Sequence, residues 1–449
     1  MVKSDQYWPV LLSPVVIVTT FLEDEMSMTV IDPGSFLAHI CSHQPIVNSS
    51  GKELIRQLPF SRWEPSLMRK VPTLAKIAAL DNGNDALKGT MLHARQPYLC
   101  TTRIITAYAP ATTLRAGEGV TTWQVNDSEL FWIGDDALMT RHVESLPVGF
   151  TQERLADGRY QRFLFASLVE LLREAGYERA STEHQGEHDL YISFGVPNEE
   201  VTRRGPSEAV RMALQAIFNV PIRVRRSDEH GQVTTWQIRF VEISPYPQSF
   251  ASFVTWYYTL DGSPIDTDIV KHITLDIGGG QLHSCEVEIS HHALGRPKLR
   301  MSASLLGEGT IAMARAASET IRARYPGIRL SDVEAQQVLI HGTVIVGGRR
   351  TRVDDIVLEV IAARSRNMFT QILPLLQEGQ SYLMFTGGGS VLLKESLNQL
   401  VSAKRSSSSY LFIPPDIASV LNAIGGYVLA QTAASKGVER NNDTTSSAR

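Results

Sequence analysis

Residues 275–283 read LDIGGGQLH, and the rest of the chain is arranged around this stretch. Residues 271–275 are typical of a strand, and residues 284–289 alternate apolar and polar side chains, so the pattern predicts a hairpin that begins at Asp276. The three glycines have no Cβ, and backbone N–H groups crowded at such a turn can hold an anion. The aspartate can hold a divalent cation or its water shell. This combination suits the terminal phosphates of a nucleotide, although a glycine turn without a ligand explains the stretch as well.

The same pattern occurs a second time and a related one a third time. Residues 77–88 read IAALDNGNDALK, again a strand, an aspartate (Asp81), a glycine turn and a second strand. The two aspartates are 276 − 81 = 195 residues apart, which fits two similar domains that each offer a hairpin to a shared cleft. The third stretch, TGGGS at 386–390, follows a predicted strand and opens a predicted helix at 391–401. Backbone at such a turn can pack against an adenosine or accept phosphate.

These stretches, in this order, resemble the actin-like ATPase superfamily. Residues 81–88 resemble its first phosphate loop, 276–283 its second, and 386–390 its adenosine loop. Two connecting motifs are also similar: residues 241–251 resemble the strand-to-helix connection that carries a catalytic Gln or Glu, and NAIGGY at 422–427 resembles the closing helix. The resemblance covers residues 73–434. Its motifs are nearest to the ParM/StbA plasmid-segregation proteins.

The resemblance implies an α/β fold, the actin-like (ribonuclease H-like) two-domain ATPase fold with a nucleotide cleft between the domains and a mixed five-stranded sheet in each. The implied divisions are an N-terminal extension of uncertain structure at 1–72, domain I at 73–270, domain II at 271–415, a closing helix at 416–434 that returns to domain I, and a disordered tail at 435–449.

The implied cofactors are ATP or ADP with Mg²⁺. Asp81 and Asp276 would hold the metal through water and position the attacking water from opposite walls. The glycines of the third loop would face the adenosine, and Glu308 is a candidate contact to the adenine. The residues implied to bind the nucleotide are Gly83, Asn84, Lys88, Gly278, Gly279, Gly280, Glu308, Gly387, Gly388 and Gly389.

Three further residues have two interpretations each. Gln248 lies between a predicted strand and a predicted helix at 249–258; its amide could orient the attacking water, or it could be an exposed residue at a helix start. His283 replaces the Asp of the usual Thr-Thr-Asp ending, so it could participate in slowed catalysis or simply cap the hairpin. Asp85 could join the hydrated magnesium shell or point to solvent.

Composition limits the class of protein. The chain has 449 residues, of which 43% are hydrophobic and 20% charged, enough for two or more domains. A net charge of −4 gives no argument for direct binding to nucleic acid or to an anionic membrane. The three cysteines Cys41, Cys100 and Cys285 form no C-x-x-C pair, which argues against a zinc site or a disulfide framework and fits the reducing cytoplasm.

The N-terminal 67 residues do not fit the resemblance. The apolar stretch at 7–22 is interrupted by Pro9 and Pro14 and is shorter than a spanning helix, and no signal-peptide cleavage site follows it. Two hypotheses explain this segment: an appendage translated from an upstream start codon, or an arm that binds a partner.

The leading functional prediction is an ATP-hydrolysing protein that self-associates into nucleotide-dependent filaments for plasmid or DNA segregation, with a DNA-bound adaptor protein as its partner, in the cytoplasm and away from membranes. Two alternatives share the fold: a non-polymerising ATP switch similar to the seventy-kilodalton chaperones, and a small-molecule kinase. The sequence shows no convincing sugar-binding run and no long substrate-binding segment after the last helix, and these absences weigh against both.

Overall fold

The computed structural model describes most of the predicted ATPase region. The described residues are 46–47, 76–95, 99–111, 119–140, 143–144, 146–177, 187–202, 205–258, 269–289, 297–306, 309–377, 381–403 and 409–446. The extension predicted at 1–72 lies outside them except for a two-residue strand, β1 (Ile46–Val47). Glu308, the candidate adenine contact, also lies outside them.

The first domain is built on a ten-stranded sheet within the described residues. Its strands run in the order β1-β4-β3-β2-β8-β12-β11-β6-β7-β5. They are β2 (Lys76–Asn82), β3 (Ala86–Leu92), β4 (Leu99–Ile105), β5 (Tyr108–Pro110), β6 (Thr122–Val125), β7 (Phe131–Ile133), β8 (Glu187–Val196), β11 (Ile222–Ser227) and β12 (Val233–Pro247), with β9 (Val201–Thr202) and β10 (Gly205–Pro206) in a separate small pair.

The prediction of five strands for this domain is wrong. Strands β6 and β7 pair with each other, and they join the main sheet because β11 pairs with both β6 and β12. In register, Val224 lies opposite Val125. Strands β11, β6, β7 and β5 therefore extend the central sheet at one edge instead of forming a sheet of their own.

Helices cover the faces of this sheet. They are α1 (Gly134–Leu138), α2 (Thr151–Ala156), α3 (Gly158–Glu174), α4 (Glu208–Phe218) and α5 (Gln248–Tyr257). Apolar residues recur on α3 at the spacing of one helix face, and Phe163, Leu168 and Leu171 are fully buried there. Its N-cap, Asp157, accepts hydrogen bonds from the backbone N–H groups of residues 159 and 160, which satisfies two donors that the helix leaves unpaired.

The second domain has the predicted five-stranded sheet among its described residues, in the order β15-β14-β13-β18-β19. Asp276 pairs with His283 across the β13–β14 hairpin, as the opening motif predicts. The elements of this domain are β13 (Lys271–Ile277), β14 (Gln281–Glu288), β15 (Lys298–Leu306), α6 (Thr310–Arg324), α7 (Asp332–His341), β16 (Thr343–Val346), β17 (Arg349–Arg352), α8 (Asp354–Gln377), β18 (Ser381–Thr386), α9 (Gly388–Ala403) and β19 (Ser409–Phe412).

The chain then returns to the first domain through α10 (Pro415–Ala418) and α11 (Leu421–Ser446). The Ser193 hydroxyl on β8 donates to the carbonyl of Gly426 at 2.8 Å, and the Thr255 hydroxyl on α5 donates to the carbonyl of Leu421 at 3.0 Å. The helix continues past residue 434 to Ser446, whereas the sequence favoured a disordered tail from 435. Extending a formed helix needs no new nucleus, so a polar segment without periodicity can remain helical.

None of the helices in the described part of the chain is both long and apolar enough to cross a membrane.

Candidate functional site

The two glycine hairpins meet face to face. A Cβ built on Gly279 would lie 2.7 Å from the Cβ of Asp85, and one built on Gly280 would collide with the side chain of Asn84. Real Cβ contacts are never this short, so only glycine lets the hairpins approach so closely. The cleft between them holds about 460 Å³ of empty space, part of it open to solvent.

Most of the predicted site residues line this cleft. They are Asp81, Gly83, Asn84, Lys88, Gln248, Asp276, Gly278, Gly279, Gly280, His283, Gly387 and Gly388. Gly389 is not among them, because it packs beneath the loop against Ile277 and Thr310. The cleft is also lined by residues that the sequence did not single out as binding residues, among them Asn82, Gly149, Gln281 and Asn422.

Each domain forms one wall of the cleft, and each wall carries a buried aspartate that accepts a hydrogen bond from a side-chain amide. On the first wall, Gln248 Nε2 donates to Asp81 Oδ1 at 2.8 Å, and Lys88 Nζ lies 4.0 Å from Asp81 Oδ2. On the second wall, Asn422 Nδ2 donates to Asp276 Oδ2 at 2.7 Å. Burial, opposed by the lysine, raises the pKa of Asp81 to about 6, and burial also raises the pKa of Asp276. Both carboxylates would therefore gain from a nearby cation.

The structure excludes one of the two interpretations of Gln248. It is the first residue of α5 and is buried, with its side chain in the cleft on Asp81. It is therefore not an exposed residue at a helix start. An amide in this place can both donate to and accept from a water molecule, which is the geometry that the catalytic interpretation requires.

His283 lies inside the cleft and not at its surface. It is buried opposite Asp276 in the β13–β14 register, and burial lowers its pKa to about 4. The imidazole is therefore neutral at pH 7. A neutral imidazole, unlike a carboxylate, supplies no negative charge to a metal or to a water molecule.

The backbone carbonyl groups of both hairpin turns accept hydrogen bonds from groups that do not line the cleft. In the first hairpin, Arg154 donates to the carbonyls of Asn82 at 2.6 Å and of Gly83 at 2.7 Å. In the second, the backbone N–H groups of residues 310 and 311 at the start of α6 donate to the carbonyls of Gly278 at 3.1 Å and Gly279 at 2.8 Å. Within the turns, the N–H of Gly83 donates to the carbonyl of Asp81 and that of Gly278 to the carbonyl of Gln281, each at 2.9 Å. The backbone N–H groups that an anion in the cleft could use are therefore those of residues 84, 279 and 280.

Arg154 is a positioning residue of the first hairpin that the sequence did not indicate. It is 1% exposed, its guanidinium lies 4.5 Å from the ring centre of Tyr160, and the Tyr160 hydroxyl in turn bonds the side chain of Asn82. Arginine is rarely buried. An isolated arginine in a short polar helix gives no sign of such a role, so nothing in the sequence could have identified it.

The third glycine loop lies at the start of α9. Gly387 has a φ of +83°, and a Cβ there would collide with Asp276, so the position requires glycine. Its N–H donates to the carbonyl of Ala418 at 3.0 Å, and the Thr386 hydroxyl donates to the same carbonyl at 3.1 Å. The loop is thus anchored to α10 and places Gly387 and Gly388 at the cleft wall.

The donors suit a magnesium ion held through water. No cluster of three His, Cys, Asp or Glu side chains that could hold a metal directly occurs within the described residues. Asp81 and Asp276 offer oxygen donors, the kind that Mg²⁺ prefers, and Mg²⁺ commonly keeps several waters in its shell. The residues present therefore fit a hydrated Mg²⁺, which Asp81 and Asp276 would hold through its water molecules.

Two α/β domains that each offer a glycine hairpin to one cleft, closed by a helix that returns to the first domain, define the actin-like two-domain fold. Solved structures bear this out. The chain is similar to a ParM described as the pCBH ParM non-polymerisable quadruple mutant, with a TM-score of 0.61 and 14% identity over 80% of this chain and 99% of that one.

Two other solved structures give the same result. Ta0583, an archaeal actin homolog, matches with a TM-score of 0.58 and 17% identity over 80% of this chain and 99% of its own. The ParM of Bacillus thuringiensis with ADP matches with a TM-score of 0.57 and 13% identity over the same shares. No protein-family model matches the sequence, and no curated protein does. At these identities the similarity establishes the actin-like fold.

Proposed function

We propose that this protein binds ATP or ADP with Mg²⁺ in the cleft, hydrolyses ATP, and assembles into nucleotide-dependent filaments in the cytoplasm that segregate plasmid or other DNA through a DNA-bound adaptor. The observation that carries the proposal is the pair of facing hairpins, each with a buried aspartate. The backbone carbonyls of both turns accept hydrogen bonds from groups that do not line the cleft. Structures of the Bacillus thuringiensis ParM are described with ADP, with ATP and with AMPPNP, which supports the choice of ligand.

The chain would hold the nucleotide at three places. Backbone N–H groups of residues 84, 279 and 280 would bind the phosphates, whereas those of Gly83 and Gly278 already donate within their turns. Lys88, buried in the cleft, would add a cation. Gly387 and Gly388 would pack against the adenosine, with Gly389 supporting them from below. Asp81 and Asp276 would hold the hydrated Mg²⁺, which would neutralise charge on the phosphates.

Hydrolysis would depend on Gln248. Its hydrogen bond to Asp81 fixes the amide on the first wall, where it can orient a water molecule towards the terminal phosphate. This is catalysis by positioning and charge neutralisation, without a covalent intermediate. His283, neutral at pH 7, would replace a carboxylate at the opposite wall, and we propose that turnover is slow for this reason.

Assembly would follow from the way the domains contact each other. Besides the hairpins, the side chain of Asn198 in the first domain donates to the carbonyl of Ser284 in the second at 3.0 Å, and Asn422 donates to Asp276. A nucleotide that bridges the cleft would select one arrangement of the domains. A head-to-tail contact that fits this arrangement repeats into a filament when its rotation does not close a ring. The description of one neighbour as a non-polymerisable mutant implies that its parent polymerises.

Gln248→Ala is expected to slow phosphate release by an order of magnitude or more, because one water-positioning group is lost. Nucleotide affinity should change little, since backbone groups and Lys88 hold the phosphates. The measurements are single-turnover phosphate release and ADP binding. Gln237→Ala, an exposed glutamine on β12, is the matched control and should behave as wild type. Unchanged turnover in Gln248→Ala would remove this residue from the mechanism.

Light scattering is expected to rise when Mg²⁺ and ATP are added above a critical protein concentration, and to decay as ATP is consumed. Gln248→Ala should prolong the plateau, because slower hydrolysis keeps the nucleotide in its triphosphate form. Negative-stain microscopy at the plateau should show filaments. If ATP is hydrolysed while scattering stays flat over a wide protein range, the filament proposal is wrong and the switch or the kinase takes its place.

A further inference from the structure

The carboxylate of Asp85 lies in the cleft and bridges two cations. Its side chain is 13% exposed, Oδ1 lies 2.9 Å from Lys88 Nζ, and Oδ2 lies 3.5 Å from Arg103. The pair of cations holds the pKa of this carboxyl well below its usual range although burial opposes them. Asp85 therefore does not point to solvent, which was one of the two interpretations that the sequence left open.

The same side chain faces the second hairpin. Gly279 packs against the Cβ of Asp85. The carboxylate group therefore lies between Lys88 of the first hairpin and the glycine turn of the second. Under the proposed function, this is the region that a terminal phosphate would enter. An anionic group of the protein thus already contacts the cation that a phosphate would use.

The charges of the cleft make this contact important. Among the described residues that line the cleft, Lys88 is the one cation, whereas Asp81, Asp85 and Asp276 are acids. Lys88 is shared between Asp85 at 2.9 Å and Asp81 at 4.0 Å. A phosphate that binds Lys88 must compete with Asp85, and each further phosphate group brings more negative charge towards the same carboxylate.

We infer that Asp85 is a specificity-determining residue that competes with the terminal phosphate for Lys88 and so favours a nucleoside diphosphate over a triphosphate. The inference rests on the proposed function. Arg103 gives the carboxylate a second partner. The Arg103 side chain is half-exposed and already contacts Oδ2, so Asp85 can keep this ion pair when a γ-phosphate binds Lys88. A diphosphate lacks the γ-phosphate, so it would compete less with Asp85 for Lys88.

The test compares ADP with the non-hydrolysable triphosphate AMPPNP on the full chain, by calorimetric titration at constant Mg²⁺ and pH 7.5. Asp85→Asn keeps the shape of the side chain but removes its charge. In this variant the Kd for AMPPNP should fall about tenfold or more, the effect of roughly one removed charge contact. The Kd for ADP should fall by less than about threefold. Asp135→Asn removes an exposed carboxylate of the same domain and should change neither affinity.

Arg103→Gln supplies an opposite expectation. Without the guanidinium, Asp85 has no second partner, so AMPPNP should bind several-fold more weakly while ADP changes less. In the Asp85→Asn background the same arginine substitution should have little effect, because the two residues act through one contact. Asp85→Ala, checked by thermal melting, replaces Asp85→Asn if the latter does not fold.

The outcomes separate the inference from the proposed function. If wild type binds both nucleotides but the AMPPNP-to-ADP affinity ratio is the same in wild type and in the folded Asp85 variants, the inference is wrong and Asp85 is a structural partner of Lys88 only. If wild type and variants melt cooperatively but bind neither nucleotide, the proposed function fails and the inference fails with it. A ratio shifted towards AMPPNP in Asp85→Asn alone supports both.

Discussion

Asp276→Asn is expected to fold but to lose most of the stabilisation that magnesium and nucleotide give the wild type. A ligand at 100 times its Kd that binds only the folded state adds about 2.7 kcal/mol. Asp276 contributes to this through its charge, which is buried and has a raised pKa, so a cation nearby is favoured. Asn422 can still donate to the asparagine oxygen, so the local structure should persist.

The sign of the change without ligand is part of this prediction. A buried carboxylate whose pKa is raised in the folded state costs stability above that pKa, and the neutral asparagine removes the cost. Without ligand, Asp276→Asn and Asp81→Asn should therefore melt at or above the wild-type temperature. With Mg²⁺ and ADP, only the wild type and the control Asp135→Asn should gain several degrees, and chelation of the metal by EDTA should reduce that gain. Equal gains in all four proteins would place the nucleotide elsewhere.

Gly425→Ala is expected to lower the melting temperature by several degrees and to weaken nucleotide binding. Gly425 is on α11, where it crosses α5. A Cβ there would collide with the carbonyl oxygen of Ala251 and lie 2.7 Å from the Thr255 hydroxyl oxygen. The oxygen belongs to the backbone and cannot rotate away, so the helices must separate, and overpacking of this kind costs about 1–3 kcal/mol.

The effect on binding follows from the position of Asn422. It lies one helical turn before Gly425 and holds Asp276, so a displaced α11 would release the aspartate of the second wall. Gly158→Ala is the matched control, since nothing lies within 4 Å of a Cβ at this exposed helical position and its φ is ordinary. Alanine at such a site should be neutral or slightly stabilising. Melting curves that are indistinguishable for the two variants would show that α11 does not pack on α5 as described.

The sequence predicted the parts of this molecule that follow from local pattern. Alternation and glycine turns identified both hairpins. The union of ten strands in one sheet could not be predicted, because the pairing of β11 with β6 joins residues about one hundred positions apart and leaves no local signal. The helical continuation of α11 past residue 434 also has no local signal, since the segment lacks apolar periodicity.

The site shows the same division. Residues within a motif, such as Asp81 and Gly278, are found where the motif implies. Arg154 acts on the first hairpin from a different helix, through hydrogen bonds to backbone carbonyls that any sequence would provide. The sequence left open whether Gln248 and Asp85 lie in the cleft or are exposed to solvent. Only their contacts with Asp81 and Lys88 exclude the exposed interpretation.

Because Asn422 on α11 holds Asp276, the site takes residues from both early and late parts of the chain. A ribosome adds about 5–20 residues per second, so the first phosphate hairpin exists for tens of seconds before the helix that completes the cleft has been made. If the cleft binds a nucleotide as proposed, the nascent protein cannot bind it in the same way, because Asp276 still lacks its partner Asn422. Under the proposed function, nucleotide-dependent assembly would then be delayed until α11 has been made, which would keep unfinished copies out of it.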